Sequence, residues 1–230
     1  MQQAEFDIFA DEYYAQHKDN LKLSGESPEF FAEYKIKLLR EFVGSGEKAI
    51  SIMDFGCGVG NSIPHFRNYF PSANITGADV SSRSIDIAKE RFSGNEQYTL
   101  LAKDSISIPD ATFDVVFTAC VFHHIPHSEH SLWLSELYRV TKSGGYFVIF
   151  EHNPYNPITV HMVNTCPFDV NAKLIKAGNF IKTAKNVGWQ SPHLRYHLFF
   201  PNMLKSLRKT EKWLTWLPLG GQYSIVFRKN

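Results

Sequence analysis

Apolar and polar positions alternate in a regular way along the chain from about residue 47 onward. Short apolar runs each end in a polar or glycine-rich turn, and a longer amphipathic stretch follows each of them. Runs of about four to eight apolar residues are typical of buried strands, whereas the stretches between them have the period of helices. Strands that alternate with helices predict a parallel sheet with helices on both faces.

The same pattern sets the expected elements. The predicted strands are 50–54, 73–80, 97–102, 113–118, 142–150, 194–200 and 222–228, and the predicted helices are 6–17, 29–42, 62–70, 83–92 and 171–187. Ser27 and Pro28 favour a helix start, and Gly44 favours its end. Residues 152–170 have no clear period, so we expect an irregular segment there that serves as a lid. Residues 204–216 are basic and aromatic, and a helix is one interpretation of them.

The turn after the first strand carries the strongest functional signal. Asp54 ends the strand, and Gly56, Gly58 and Gly60 follow at every second position. A dinucleotide site would need a third glycine where Asn61 stands, and a phosphate loop of the Walker type would need a Lys that is absent. An acid at this place suits a ligand with cationic groups. A structural glycine turn without a ligand is the alternative.

Four further segments follow this turn in order, and together the five resemble class I S-adenosylmethionine-dependent methyltransferases of the small-molecule type. They are 73–80, 103–105, 113–125 and 142–150. The resemblance implies an α/β three-layer sandwich whose seven-stranded, mostly parallel sheet has an antiparallel last strand. It also implies S-adenosyl-L-methionine as cofactor and S-adenosyl-L-homocysteine as product. We expect one domain over 1–230, with N-terminal helices over the cofactor (1–46), a cofactor-binding core (47–151) and a substrate side (152–230).

The resemblance assigns cofactor contacts to particular residues. Asp79 would accept both ribose hydroxyls, Asp104 the adenine amino group, and the Ser105 amide would meet a ring nitrogen. Lys35 would meet the cofactor carboxylate, although a solvated surface lysine is the alternative. The complete expected set is Asp54, Gly56, Cys57, Gly58, Gly60, Asp79, Val80, Asp104, Ser105, Cys120, Val121, Tyr14 and Lys35.

Histidines supply the candidate bases for methyl transfer. His123 and His124 follow the fourth strand, and Glu151 and His152 follow the fifth, at the sheet edge where ligands bind. An imidazole with an ordinary pKa accepts a proton at neutral pH. Tyr13, in the first predicted helix, is a further catalytic candidate by resemblance. A histidine that only orients its loop is the alternative in each case.

Three other short motifs do not indicate a function. His124, His127 and His130 recur at every third residue, but Pro126 interrupts them, so we expect no metal ligands. The segments 153–155 and 166–167 resemble parts of DNA-methylating motifs in the wrong place and order. We therefore expect no nucleic-acid partner.

Composition agrees with a small-molecule enzyme. The net charge is +1, no basic block stands out, and no apolar run reaches a membrane span of about 18 residues. Three separated cysteines and no visible signal peptide favour a cytoplasmic protein. We also expect a monomer or a homodimer. We expect methyl transfer to a small-molecule acceptor, at oxygen, with a sugar, a lipid or a secondary metabolite as candidates. The alternative function is a catalytically inactive cofactor-binding or regulatory module. The aromatic residues of 213–219 suit an acceptor pocket, a core, or a dimer or membrane-facing patch.

Overall fold

The structure, a computed structural model, describes residues 25–44 and 49–230. The predicted helix 6–17 and the candidates Tyr13 and Tyr14 lie outside the described residues. The helices are α1 (Pro28–Val43), α2 (Ile63–Tyr69), α3 (Ser82–Arg91), α4 (His130–Val140), α5 (Pro157–Thr165) and α6 (Ala177–Val187). The strands are β1 (Ser51–Phe55), β2 (Asn74–Asp79), β3 (Gln97–Leu100), β4 (Phe113–Ala119), β5 (Thr141–His152), β6 (Gln190–His197) and β7 (Gln222–Arg228). Short 3₁₀ helices cover Phe122–His124, His127–Glu129 and Pro167–Asp169, and a longer one covers Asn202–Trp213.

The seven strands form one sheet in the order β3-β2-β1-β4-β5-β7-β6. The pairs among β1 to β5 are parallel, and β7 is antiparallel to both β5 and β6. Since β7 opposes both neighbours, β6 runs in the same direction as the first five strands. The sequence prediction of a mostly parallel sheet with an antiparallel last strand is confirmed.

Apolar side chains of the sheet pack on both of its faces. In β5, Phe147 and Ile149 join one buried cluster, while Val148 and Phe150 join the other. The first cluster includes residues of α4 and α6, such as Trp133 and Phe180, and the second includes Ile36, Leu39, Ile63 and Phe66 of α1 and α2. Helices therefore cover both faces, and the architecture is three-layered.

The strand order places one crevice between β1 and β4. The chain proceeds from β1 outward through β2 to β3, and then returns to the other side of β1 with β4. At such a switch point the loops after the two central strands diverge, and ligands bind at the carboxyl ends of those strands. The glycine turn follows β1 and the paired histidines follow β4.

Two helices begin with the same capping arrangement. The hydroxyl of Ser27 accepts a hydrogen bond from the Phe30 amide at 3.3 Å, and Pro28 occupies the first position of α1. In the same way Asn156 accepts from the Thr159 amide at 3.0 Å, and Pro157 begins α5.

Helix α5 corrects the prediction for the segment 152–170, which is partly helical rather than irregular. Isoleucine, valine and threonine dominate α5. Because these residues have a weak helix propensity, the sequence pattern did not predict this helix. Helix α6 begins at Ala177 instead of 171, and β6 spans Gln190–His197 instead of 194–200.

The described residues contain no helix with the length and apolar character that crossing a bilayer requires. The three cysteines Cys57, Cys120 and Cys166 are free thiols, so no disulfide supports the fold.

Candidate functional site

A cavity of about 400 Å³ opens at the carboxyl ends of β1, β2 and β4. It brings together most of the residues that the sequence pointed to. Its lining includes Lys35, Gly56, Cys57, Gly58, Asp79, Val80, Cys120, Val121, His123, His124 and His152. The predicted residues Asp54, Gly60, Asp104, Ser105 and Glu151 are outside this lining.

The glycine turn is shaped by two different requirements. Gly56, Gly58 and Gly60 all have positive φ angles, of 76°, 52° and 80°. A Cβ atom on Gly56 would collide with the side chain of Val121, so the turn packs tightly against the loop after β4. A Cβ atom on Gly58 would meet nothing within 4 Å. The bare backbone at Gly58 is therefore open for a ligand to approach closely.

The Asp79 carboxylate is held in a fixed position at the edge of the cavity. Its Oδ2 accepts from the Gly58 amide at 2.8 Å, and its Oδ1 accepts from the Ser81 amide at 2.9 Å. Asp79 is buried, yet it lines the cavity. The two amide bonds thus orient a carboxylate at the end of β2, the place where the sequence predicts an acceptor of ribose hydroxyls.

Among the described residues, Asp54 is the one acid with a buried carboxylate oxygen, its Oδ2, that has no hydrogen-bond partner. Burial and the neighbouring Asp79 carboxylate raise the pKa of Asp54 to about 7, although the Lys35 ammonium opposes them. A cationic group placed here would relieve this cost. The residues present therefore fit a ligand that carries an ammonium group.

Lys35 and Cys120 meet on the wall of the cavity. The Lys35 ammonium donates to the Cys120 sulfur at 3.5 Å, and only 9% of Lys35 is exposed, which excludes the solvated alternative. Cys120 has a φ angle of 59°, and its amide donates to the Phe150 carbonyl at 2.8 Å. Burial would raise the pKa of its thiol, but the charges of His152 and Lys35 lower that pKa to about 7.

Glu151 is completely buried and organises the loop after β4 from the end of β5. Its Oε1 accepts from the amides of Val121 and Phe122 at 3.1 and 2.8 Å. Its Oε2 lies 2.6 Å from Nδ1 of His123. Glu151 thus does not face the cavity but fixes the orientation of a residue that does.

Asp169 joins the histidines from a distant part of the chain. Its Oδ1 lies 3.5 Å from Nε2 of His123 and 3.3 Å from Nε2 of His124. Asp169 lies in the segment 152–170, and the sequence alone assigned it no role in the site. The fold alone brings the 3₁₀ helix Pro167–Asp169 to the end of β4.

The two adjacent histidines titrate in opposite directions. Burial alone would lower the pKa of His123, but the carboxylates of Glu151 and Asp169 outweigh it and raise that pKa to about 10. Burial and the neighbouring His123 charge lower the pKa of His124 to about 4. At neutral pH His123 is therefore an imidazolium, and His124 is a neutral imidazole that can accept a proton.

The histidines with regular spacing do not form a shared site. Nε2 of His130 lies 3.1 and 3.0 Å from the carbonyl oxygens of Phe122 and Ile125, which is a structural role in the turn. A different group has the geometry for a metal ion. His123, His124 and Asp169 each place one ligand atom within 4.8 Å of the others.

The expected adenine contacts lie at the margin of the site. Asp104 is exposed, Ser105 is half-buried, and Leu101 lines the cavity at this end instead. The roles of Asp104 and Ser105 remain predictions.

Beyond the histidines the cavity wall is mostly apolar. The apolar lining includes Phe30, Phe31, Ile158, Met162, Phe199 and Phe200, from α1, α5 and the segment after β6. Arg208 also lines it and forms an ion pair with Glu26 at 2.7 Å. These residues come from four separate segments, so no local pattern marks them.

A second hollow, of about 470 Å³, lies on the opposite edge of the sheet. Arg67, Phe92 and Glu96 line it near the start of β2 and β3. Arg67 and Glu96 already pair with each other. In sheets of this kind ligands bind at the carboxyl ends of the strands, so we assign no role to this hollow.

Comparison with known proteins is consistent with this site. Residues 53–149 match the family described as "Methyltransferase domain". An uncharacterized methyltransferase of Schizosaccharomyces pombe is 31% identical over 130 residues, which are 52% of this chain and 44% of that protein. Sterol 24-C-methyltransferase of Neurospora crassa is 28% identical over 159 residues, 64% of this chain and 41% of that protein. The chain thus spans less than half the length of these two relatives.

Solved structures share the fold over nearly the whole chain. A SAM-dependent methyltransferase of Thermotoga maritima, described as a possible histamine N-methyltransferase, has a TM-score of 0.68 with 16% identity and covers 99% of both chains. Phosphoethanolamine N-methyltransferase 2 of Haemonchus contortus, in complex with S-adenosyl-L-methionine, has a TM-score of 0.67 with 16% identity and covers 97% of this chain and 60% of that one.

Proposed function

Residues 53–149 form a methyltransferase domain within a class I fold, and from this premise we propose that the protein transfers a methyl group from S-adenosylmethionine to an oxygen of a small-molecule acceptor. The observation that carries the proposal is that one cavity contains both groups of residues. This cavity joins the glycine turn and the Asp79 carboxylate at one end to the imidazole of His124 at the other. A cofactor site and an acceptor site in one enclosed space are what methyl transfer requires.

At the cofactor end the chain supplies binding groups. The Gly58 backbone lets a ligand approach closely, Asp79 accepts hydroxyl hydrogens, and Asp54 matches an ammonium. When bound there, S-adenosylmethionine would supply a methyl group on a sulfonium, and the neutral thioether S-adenosylhomocysteine would be the leaving group.

At the acceptor end we assign the base to His124. His124 would take the proton of an acceptor hydroxyl whose oxygen receives the methyl group. His123 is already protonated, so it cannot serve as the base at neutral pH. Its role, together with Glu151, is to position the loop. The charge that develops on His124 is stabilised by the Asp169 carboxylate at 3.3 Å.

Substitution of His124 tests this assignment. His124→Gln should lower turnover by about 100-fold, which is the usual contribution of a positioned base, and leave cofactor affinity within a few-fold. His127→Gln is the matched control, because His127 is exposed outside the cavity. If both variants retain full turnover, His124 only supports the loop.

The pH profile separates His124 from the other candidate bases. Because the pKa of His124 is about 4, turnover should be constant above pH 5 and should fall as the pH drops through about 4. A fall that begins near pH 6–7 would contradict the assignment of the base to His124.

The acceptor atom also has a direct test. The relatives above carry names that refer to methylation of carbon and of nitrogen, whereas a neutral base in the cavity suits a hydroxyl acceptor. After incubation with ¹³C-methyl-labelled cofactor and metabolite fractions, NMR of the product should show an O-methyl signal. An N-methyl or C-methyl product would contradict the assignment of oxygen as the acceptor atom, but it would still support methyltransferase activity.

The cluster of His123, His124 and Asp169 favours a second candidate, methyl transfer assisted by a divalent metal ion. The three side chains would hold the ion, which would supply Lewis-acid chemistry by lowering the pKa of an acceptor hydroxyl. Dialysis against a chelator separates the two candidates. Turnover should survive if His124 is the base, and it should be lost and return with added metal if the ion is required.

An inactive cofactor-binding module remains the alternative to any enzyme. Such a module would bind S-adenosylmethionine with the same Asp79 dependence but would yield no methylated product from any fraction.

A further inference from the structure

The 3₁₀ helix Asn202–Trp213 has an inverted distribution of side chains. Two of its charged residues, Arg208 and Glu211, face the protein, whereas several large apolar residues face the solvent. Glu211 is 9% exposed and accepts from the amides of Phe199 and Phe200, both at 3.0 Å. Arg208 donates to the Phe200 carbonyl at 3.1 Å. These contacts fix which face of the helix is turned outward.

The outward face forms an apolar strip, which we define as Met203, Leu204, Leu207, Trp213 and Trp216. Residues three apart in a 3₁₀ helix lie above one another, so Leu207 and Trp213 share one ridge, and Leu204 lies just before it at a kink. Met203 is 91% exposed, Trp213 66% and Trp216 73%. Large apolar side chains that cluster in water mark a surface that contacts something else.

Lysines flank the strip and indicate which partner fits it. Lys205, Lys209 and Lys212 are exposed on the same helix, and the Lys212 ammonium lies 4.8 Å from the centre of the Trp213 ring. Glu211, the one acid between residues 202 and 216, is turned inward. Apolar and tryptophan side chains bordered by lysines are typical of helices that lie in the interface of an anionic bilayer. A second copy of the chain would instead bring like charges together.

The strip also adjoins the mouth of the cavity. Arg208, on the inner side of the helix, lines the cavity, as do Phe200 and Pro201 just before the helix. Ile158 of α5 lines the cavity as well and is 61% exposed. The helix that carries the strip on its outer side therefore also forms part of the cavity wall.

We propose that residues 202–216 dock on an anionic lipid bilayer, with the apolar strip among the lipid chains and the lysines at the headgroups. The docking does not depend on methyl transfer, because no residue of the strip belongs to the proposed catalytic or cofactor groups. It goes beyond the proposed function by adding a membrane surface as a partner of the protein.

Tryptophan fluorescence offers a specific test. The chain has four tryptophans, and Trp133 and Trp189 are completely buried, so Trp213 and Trp216 dominate any response to the solvent. Vesicles of phosphatidylcholine with phosphatidylglycerol should shift the emission to shorter wavelength, and brominated lipid should quench it. Vesicles of phosphatidylcholine alone should do so far less, because each lysine near an anionic surface contributes about fivefold to affinity.

Two sets of variants complete the experiment, with sedimentation on the same vesicles as the measurement. Trp213→Ser with Trp216→Ser should lower binding at least about tenfold, and Lys205, Lys209 and Lys212 changed together to Gln should lower it about 100-fold. Leu132→Ser and the pair Lys89→Gln with Lys103→Gln are controls, because these residues are exposed elsewhere.

Three results would overturn the proposal. They are absence of binding to anionic vesicles, binding that survives both sets of variants, and a homodimer in analytical ultracentrifugation that the tryptophan variants dissociate. The last result would assign the strip to a second copy of the chain. Cofactor titration of the same variants should remain unchanged, so failure here and failure of the proposed function can be told apart.

Discussion

The two ends of the cavity are built in different ways. The cofactor end takes its groups from turns that directly follow β1 and β2, and backbone amides hold them, as the Gly58 amide holds Asp79. The acceptor end collects side chains from α1, the loop after β4, the end of β5, the 3₁₀ helix Pro167–Asp169 and the segment after β6. Groups held by the backbone follow from local sequence, whereas groups assembled through tertiary contacts require the fold.

Substitution of Glu151 should have the largest effect at the acceptor end of the cavity, because this one side chain holds several of its groups in place. Glu151→Ala leaves two amides and the His123 imidazolium without their buried partner. Removal of one partner from a buried ion pair costs about 3–5 kcal/mol, which denaturant unfolding should detect. The exposed Glu90→Ala should change the free energy of unfolding by less than about 0.5 kcal/mol. Equal stability of the two variants would mean that Glu151 does not organise the loop.

Substitution of Asp79 tests the cofactor end of the cavity through the affinity for S-adenosylmethionine. Asp79→Ala removes a fixed carboxylate whose hydrogen bonds to a ligand are each worth about 1.5–3 kcal/mol, so affinity for S-adenosylmethionine should fall at least tenfold. The fold should persist, as judged by circular dichroism, because the Gly58 amide that donates to Asp79 lies beside the open cavity. Unchanged affinity would assign Asp79 to the support of the turn alone.

The fold itself was largely predictable from the sequence, since strand and helix alternation gave six of the seven strands within a few residues. The cofactor end was predictable for the same reason, because Gly58 and Asp79 occur at fixed places after strands. Asp169 and Arg208 were not predictable, because each lies in a segment without a motif. Helix α5 was missed because its β-branched residues conceal the helical pattern.

Asp54 gives a pH-dependent test of the cofactor end. Because its pKa is about 7 without ligand, a cationic ligand must displace a proton from it at lower pH. Affinity for S-adenosylmethionine should therefore rise about fivefold from pH 6 to pH 7 and then approach a plateau. Calorimetry in buffers with different ionisation enthalpies should show proton release at pH 6. Asp54→Asn should abolish the release, and persistence of the release in that variant would exclude Asp54 as its source.

Substitution of Asp104 should change cofactor affinity less than the other substitutions do, and it tests whether the segment 103–105 belongs to the cofactor site. The Asp104 side chain is exposed and outside the lining of the cavity, so water competes for any hydrogen bond that it makes to adenine. Asp104→Ala should weaken cofactor binding by about two- to fivefold, which is worth about 0.5–1 kcal/mol. A loss as large as that in Asp79→Ala would show that the segment around 103–105 closes over the ligand.

Calorimetric titration of the purified protein tests directly whether this cavity binds S-adenosylmethionine. S-adenosylmethionine and S-adenosylhomocysteine should each bind at one site per chain, and NAD should give no binding heat. Binding of NAD in the absence of any heat from the two sulfur compounds would contradict the account, because the glycine turn and its acids would then serve a dinucleotide.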